Sequence, residues 1–142
     1  MIALTNAYSE LKRKHQEEFN NFPMVFAFSN KQFEEGMKKL GLKPTDTDKI
    51  YSFHGTGGFY RKTDAEALRE MSSRHEKEMQ GAIDGDTTGK GFIFDMFSYE
   101  LTNHEYDWTD DLEPTLNSLG LTFEEVNNDK KLLLALKRAC NN

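Results

Sequence analysis

The loop from Asp84 to Asp95 contains carboxylates, a hydroxyl and a glycine at a spacing that could bind a cation. An EF-hand loop needs oxygen ligands at positions 1, 3, 5 and 12, and a glycine at position 6 for the turn. Here the oxygens belong to Asp84, Asp86, Thr88 and Asp95, and Gly89 stands at position 6. One interpretation of this loop is therefore a calcium- or magnesium-binding module.

The same loop departs from that motif in two places. Position 12 is Asp95, which is shorter than the usual bidentate glutamate, and position 8 is Gly91 instead of a branched apolar residue. The sequence also offers no second loop with which it could pair. The alternative is a turn between two helices, in which Asp95 caps the second helix and no cofactor is needed.

A second candidate site is the run from Glu105 to Glu113, in which carboxylates alternate with large apolar side chains. Acidic groups around an exposed aromatic residue are typical of a surface that binds a basic protein. The alternative is a solvated helix start whose tryptophan packs into the core. The predicted partner-binding residues are Glu105, Asp107, Trp108, Asp110, Asp111 and Glu113.

The charge distribution also favours a basic partner. Residues 82–129 carry twelve carboxylates and one lysine, whereas the first 81 residues carry a net charge of +1 and the last thirteen a net charge of +4. A block of that sign repels phosphates, so direct nucleic-acid binding is not expected, and a basic surface such as that of a nuclease is favoured. The sequence lacks a Gly-x-Ser-x-Gly motif and paired cysteines, so we predict a non-enzymatic protein.

The elements that must position these residues are mainly helical. Apolar spacing and cap residues predict a mainly α (α+β) fold of five to six helices, with a small β-hairpin near residues 50–61. Capping boxes are expected at Thr63 with Glu66 and at Thr122 with Glu125, and Asp129 is expected to cap the last helix. The apolar segment from Phe92 to about Asn103 is expected to be the most buried helix. The run 22–28 is either a strand or a buried linker. A helix over Asp110–Leu119, capped by Thr109, would place the acidic residues in its first turn. We expect one domain over residues 1–142, with two sub-lobes (1–62 and 63–142) as the alternative.

The sequence also predicts a location. No apolar run is long enough to span a membrane, and the amino terminus lacks the basic start and apolar stretch of a signal peptide. The single cysteine, Cys140, cannot form an internal disulfide. We therefore expect a cytoplasmic protein without a membrane partner.

Three stretches, 26–37, 46–52 and 95–106, resemble a group of small proteins from Gram-positive gut bacteria, their phages and mobile elements. The resemblance implies a genetic setting in which small acidic proteins inhibit host defence nucleases, as anti-CRISPR proteins do. The leading hypothesis is an inhibitor that occupies a basic nucleic-acid-binding groove, with the carboxylates of Glu105–Glu113 in place of phosphates. The alternatives are the cation-binding module and a regulatory protein that binds a host protein through the same aromatic and acidic patch.

Overall fold

The computed structural model describes residues 5–141, which divide into two compact units. One unit contains residues 16–76, and the other contains residues 5–15 and 77–141. The helices are α1 (Ala7–Asn20), α2 (Asn30–Lys39), α3 (Ala65–Gly85), α4 (Phe92–Asn103), α5 (Tyr106–Thr109), α6 (Glu113–Ser118), α7 (Phe123–Asn127) and α8 (Lys130–Cys140). The strands are β1 (Met24–Phe26), β2 (Ile50–Ser52) and β3 (Gly58–Arg61).

The predicted mainly α class with a small hairpin is confirmed. The described residues form eight α-helices, more than the five to six expected. The helix that the sequence did not predict is α5, whose four residues carry too few apolar repeats for the periodicity to separate them from a turn. The single-domain organisation stays a prediction.

In the unit of residues 16–76, a three-stranded antiparallel sheet packs against α2. Its order is β1-β3-β2, so the run 22–28 contributes an edge strand to the predicted hairpin. A Cβ at Gly36 would lie 2.9 Å from the ring of Phe59 and 3.0 Å from a methyl carbon of Val25. The glycine therefore lets α2 lie close to the sheet over a small core of Met37, Leu40 and Phe59.

In the other unit, α4 and α8 form the centre of a larger core. The sequence of α4 predicts the most buried helix, and it contributes five buried residues, among them Ile93 and Phe97 at 0% exposure. The apolar stripe of α8 packs there through Leu132, Ala135 and Leu136. Among the described residues, none of the helices has the length and apolar character needed to cross a membrane.

The predicted helix over Asp110–Leu119 is wrong in its first turn. Asp110 has a left-handed backbone (φ 55°) and ends α5, and α6 begins only at Glu113. Pro114 explains the difference, because a proline lacks a backbone N–H and is tolerated in the first turn of a helix but not further along. Asp110 and Asp111 therefore lie between two helices rather than at the start of one.

Candidate functional site

The run Glu105–Glu113 is built around α5, a single helical turn. Glu105 (φ 56°) and Asp110 (φ 55°) flank this turn, and both have left-handed backbones. Residues other than glycine seldom adopt this conformation, and in known proteins such residues concentrate at functional sites. The two left-handed residues change the chain direction on either side of α5.

Trp108 lies on the outer side of this turn, and 89% of its surface is exposed. The alternative in which Trp108 packs into the core is therefore wrong. All five carboxylates of the run are exposed, whereas Tyr106 and Leu112 are half-buried and pack against the large core. One short segment thus presents an aromatic ring and five negative charges to solvent. Whether it binds a partner stays a prediction.

Tyr106 holds α5 against the end of α8. Its hydroxyl forms a hydrogen bond with the Cys140 side chain, and this bond, with the nearby charge of Asp110, raises the pKa of Tyr106 to about 12. Burial raises the pKa of the Cys140 thiol above its ordinary value. Both groups stay neutral near pH 7, and their contact fixes the position from which Trp108 projects.

A cleft of about 280 Å³ lies beside α5, between it, α4 and the start of α1. Its walls are apolar at Phe94, Leu101 and Ala139. The Oγ atom of Ser98 is buried and has no hydrogen-bond partner among the described residues. The polar residues that line the cleft are Asn6, Asp95, Ser98, Thr102, Tyr106 and Asp107.

In the loop with the EF-hand spacing, the carboxylate of Asp86 accepts hydrogen bonds from backbone N–H groups of the same segment. The Oδ1 atom of Asp86 accepts from the N–H groups of Thr88 (3.2 Å) and Gly89 (2.9 Å). Its Oδ2 atom accepts from Gly91 (3.1 Å) and Ile93 (3.0 Å). Burial acts to raise the pKa of Asp86, but these four hydrogen bonds outweigh it and lower the pKa below its usual value.

Of the other predicted cation ligands, Thr88 donates its hydroxyl to Asp86 at 3.4 Å, whereas Asp84 and Asp95 bond residues outside the loop. Asp84 accepts from Gln80 within α3, and Asp95 accepts from the N–H of Ala7 at 3.3 Å. No group of three potential acidic, histidine or cysteine ligands occurs within residues 5–141. Asp95 is also not the cap of α4, because it lies inside the first turn, and the carboxylate of Asp86 bonds the N–H of Ile93 there instead. The loop is thus built as a turn.

Most of the chain matches one protein family. Residues 7–142 match a family described as a family of unknown function, DUF7659. The chain belongs to this family. No curated protein and no solved structure matches it. Membership in DUF7659 assigns no chemistry, so the function has to be argued from the site itself.

Sequence reasoning did not find the buried carboxylate of Glu100 or the cleft in this DUF7659 chain. Glu100 is 1% exposed and accepts from the hydroxyl of Tyr8 at 2.5 Å and from Nζ of Lys12 at 3.0 Å. Ser98 lines the cleft from α4, far along the chain from Asn6. No local pattern connects residues so distant in sequence, so only the packing of α1 against α4 reveals either feature.

Proposed function

We propose that this chain is a non-enzymatic acidic protein that binds the basic, nucleic-acid-binding groove of a host defence protein, such as a nuclease, and blocks that groove. The observation that carries the proposal is the 89% exposure of Trp108 in a segment with five exposed carboxylates. In this proposal the binding residues are Glu105, Asp107, Trp108, Asp110, Asp111 and Glu113.

The exposure of Trp108 supports a role in binding. A large aromatic side chain buries much apolar area when it is covered, and tryptophan is enriched among the residues that dominate binding energy at interfaces. Tyr106 and Leu112 already supply the contacts of this segment with the core. Trp108 is therefore available to a partner without any loss of packing in the fold.

The carboxylates define the chemistry of that partner. A groove that binds nucleic acid is lined by lysine and arginine, which neutralise phosphates. Carboxylates at Asp107, Asp110 and Asp111 can pair with the same cations, and the net charge of −6 favours encounter with a basic surface. Such binding should compete with nucleic acid and weaken steeply as salt is added.

The proposal also includes a cellular location and a genetic origin for the protein. The protein would act in the cytoplasm, where such nucleases meet nucleic acid, and it would be encoded by a phage or mobile element of a Gram-positive gut bacterium. The resemblance of stretches 26–37, 46–52 and 95–106 supports this setting. The absence of a membrane-spanning helix among residues 5–141 is compatible with it.

A charge-neutralised variant tests the electrostatic part of the proposal. Asp107, Asp110 and Asp111 are changed to asparagine together, and the affinity for a candidate nuclease is measured by calorimetry at low and high salt. We expect a loss of roughly tenfold or more at low salt and a shallower salt dependence. Unchanged affinity would refute the proposal. The matched control neutralises three exposed acids of the other unit: Glu34, Glu35 and Glu70.

A second variant tests the aromatic contact. Trp108→Ala should weaken binding to the same nuclease by about 2 kcal/mol or more, as expected for a central interface residue. Phe28→Ala is the matched control, because Phe28 is also highly exposed, at 79%, and lies in the other unit. Equal effects of the two substitutions would count against Trp108 as the site of contact.

A further inference from the structure

We propose that the cleft beside α5 receives the guanidinium group of an arginine from the partner protein. This inference rests on the proposed function and adds the side chain that the site recognises. It draws on the cleft lining, the buried Ser98 hydroxyl and the position of Asp107 next to Trp108.

The size of the cleft suits one side chain. Its volume of about 280 Å³ lies just below the range of roughly 300–1,000 Å³ that is usual for whole small-molecule ligands. Asp107, one of its lining residues, is exposed to solvent. A long side chain from a neighbouring protein could therefore enter it while the backbone of that protein stays at the surface.

The charge of the cleft selects a cation. Asp107 and Asp95 line it, and the polar residues around them are uncharged: Asn6, Ser98, Thr102 and Tyr106. One oxygen of Asp95 accepts from the N–H of Ala7 at 3.3 Å, which holds the carboxylate in place at the start of α1. No lysine or arginine is among the described residues that line the cleft, so this described lining supplies no cation of its own.

The buried hydroxyl of Ser98 gives a second reason to expect a ligand. A hydroxyl enclosed without a hydrogen bond carries a free-energy penalty, and a ligand donor would remove it once the Ser98 side chain rotates its buried oxygen toward the cleft. The hydroxyl of Thr102 donates to the carbonyl oxygen of Ser98 at 3.0 Å, so its own oxygen can still accept. The cleft thus offers several acceptors in addition to the two carboxylates.

These acceptors favour arginine over lysine. A guanidinium carries five donors in a planar arrangement and stacks on aromatic rings, whereas an ammonium is a compact, strongly hydrated charge. Phe94 and Tyr106 supply aromatic walls, and Asp95 and Asp107 supply carboxylate acceptors. A planar, multiply donating cation matches this lining better than a point charge does.

The fluorescence of Trp108 can report whether a ligand binds in the cleft. Trp108 is the single tryptophan of the sequence and directly follows Asp107, so its fluorescence should respond to a ligand in the cleft. The probes are a short peptide that alternates arginine with glycine and the same peptide with lysine in place of arginine. Both are titrated into the full-length protein at low salt, and Trp108 emission is recorded.

We expect the wild-type protein to prefer the arginine peptide. Asp107→Asn should weaken arginine-peptide binding roughly tenfold, as for the loss of a hydrogen bond between charged groups, and should abolish the preference. Asp111→Asn removes the same charge four residues away and outside the cleft, and should weaken both peptides about equally, by roughly twofold. Ser98→Ala should reduce the preference for arginine without changing the net charge.

Other outcomes separate the two proposals. Equal binding of the two peptides, or equal effects of Asp107→Asn and Asp111→Asn, would overturn the arginine cleft but leave the acidic surface as the binding site. Loss of nuclease binding in the triple asparagine variant would then still support the proposed function. Tight nuclease binding by that variant would overturn the proposed function itself.

Discussion

At the scale of single residues, Asp86 organises the loop before α4. Its carboxylate accepts from four backbone N–H groups, at distances from 2.9 to 3.2 Å. Gly89, with φ of 76°, lets the chain turn back toward this carboxylate. A Cβ at Gly89 would lie 2.8 Å from the carbonyl oxygen of Lys131, so the position also requires glycine for close contact with α8.

We expect Asp86→Asn to destabilise the protein by about 2 kcal/mol at neutral pH. The asparagine keeps one acceptor oxygen, but its amide group replaces the oxygen that faces Gly91 and Ile93. Chemical denaturation measures the difference. Asp84→Asn is the control, because Asp84 is exposed and accepts from Gln80 within its own helix, and its effect should stay within about 0.5 kcal/mol.

The pH dependence gives a second check on this carboxylate. The folded state lowers the pKa of Asp86, so its stabilisation is complete above the unfolded pKa of about 3.9 and is lost as the pH falls through the folded value. The difference between wild type and Asp86→Asn should therefore shrink as the pH drops below about 4. A difference that stays constant down to acid unfolding would contradict this role.

Glu100 is the buried charge of the large core. It lies at 1% exposure and bonds the hydroxyl of Tyr8 and the ammonium of Lys12, so it joins α1 to α4. Burial, and then the hydrogen bond to Glu100, raise the pKa of Tyr8 far above its ordinary value. The tyrosine therefore stays protonated, and a hydrogen-bond donor, at neutral pH.

We expect Glu100→Gln to cost about 2 kcal/mol of unfolding free energy, because it weakens the hydrogen bonds that the carboxylate accepts from Tyr8 and Lys12. Thermal and chemical denaturation measure the loss. Glu124→Gln makes the same change at an exposed position and should have an effect within about 0.5 kcal/mol. Comparable losses in the two variants would show that Glu100 has no special structural role.

At the scale of elements, cap residues were the most predictable feature. Asp129 caps α8 by accepting from the N–H groups of Lys131 and Leu132, as the sequence predicts. The capping box of Thr122 and Glu125 at the start of α7 is present in full. A similar pattern at Thr63 and Glu66 does not cap α3, because a short 3-10 helix over Lys62–Asp64 precedes that helix instead.

This contrast gives a test with a built-in control. Thr122→Ala should destabilise the protein by about 1 kcal/mol, since it removes the acceptor for the N–H of Glu125. Thr63→Ala should change stability by less than about 0.5 kcal/mol, because Thr63 is exposed and does not cap a helix. Both values come from denaturation midpoints. A larger loss at Thr63 than at Thr122 would contradict this assignment of caps.

At the scale of the whole molecule, the two units differ in how much apolar surface they bury. The buried apolar residues within 16–76 are Met37, Leu40, Phe59 and Leu68, and only the first three form a cluster, whereas the core cluster of the other unit contains eleven buried residues. Local opening requires less free energy where fewer apolar contacts must be broken. The units should therefore differ in their protection from solvent.

Native-state hydrogen exchange measures this difference. Amides in the middle of α4, near Phe97, should exchange only through near-global unfolding, and amides of β3 should exchange through openings of lower free energy. The sheet has just three short strands, which adds little further protection. Equal protection of α4 and β3 would mean that the two units unfold as one.

The helical class, the hairpin, the caps at Asp129 and Thr122, and the acidic segment could be predicted from the sequence, because these depend on residues close together in the chain. The exposure of Trp108, the backbone hydrogen bonds to Asp86 and the burial of Glu100 are visible only in the folded chain. Each of these depends on contacts between distant segments, such as α1 with α4 or α5 with α8. Local patterns carry no information about such contacts.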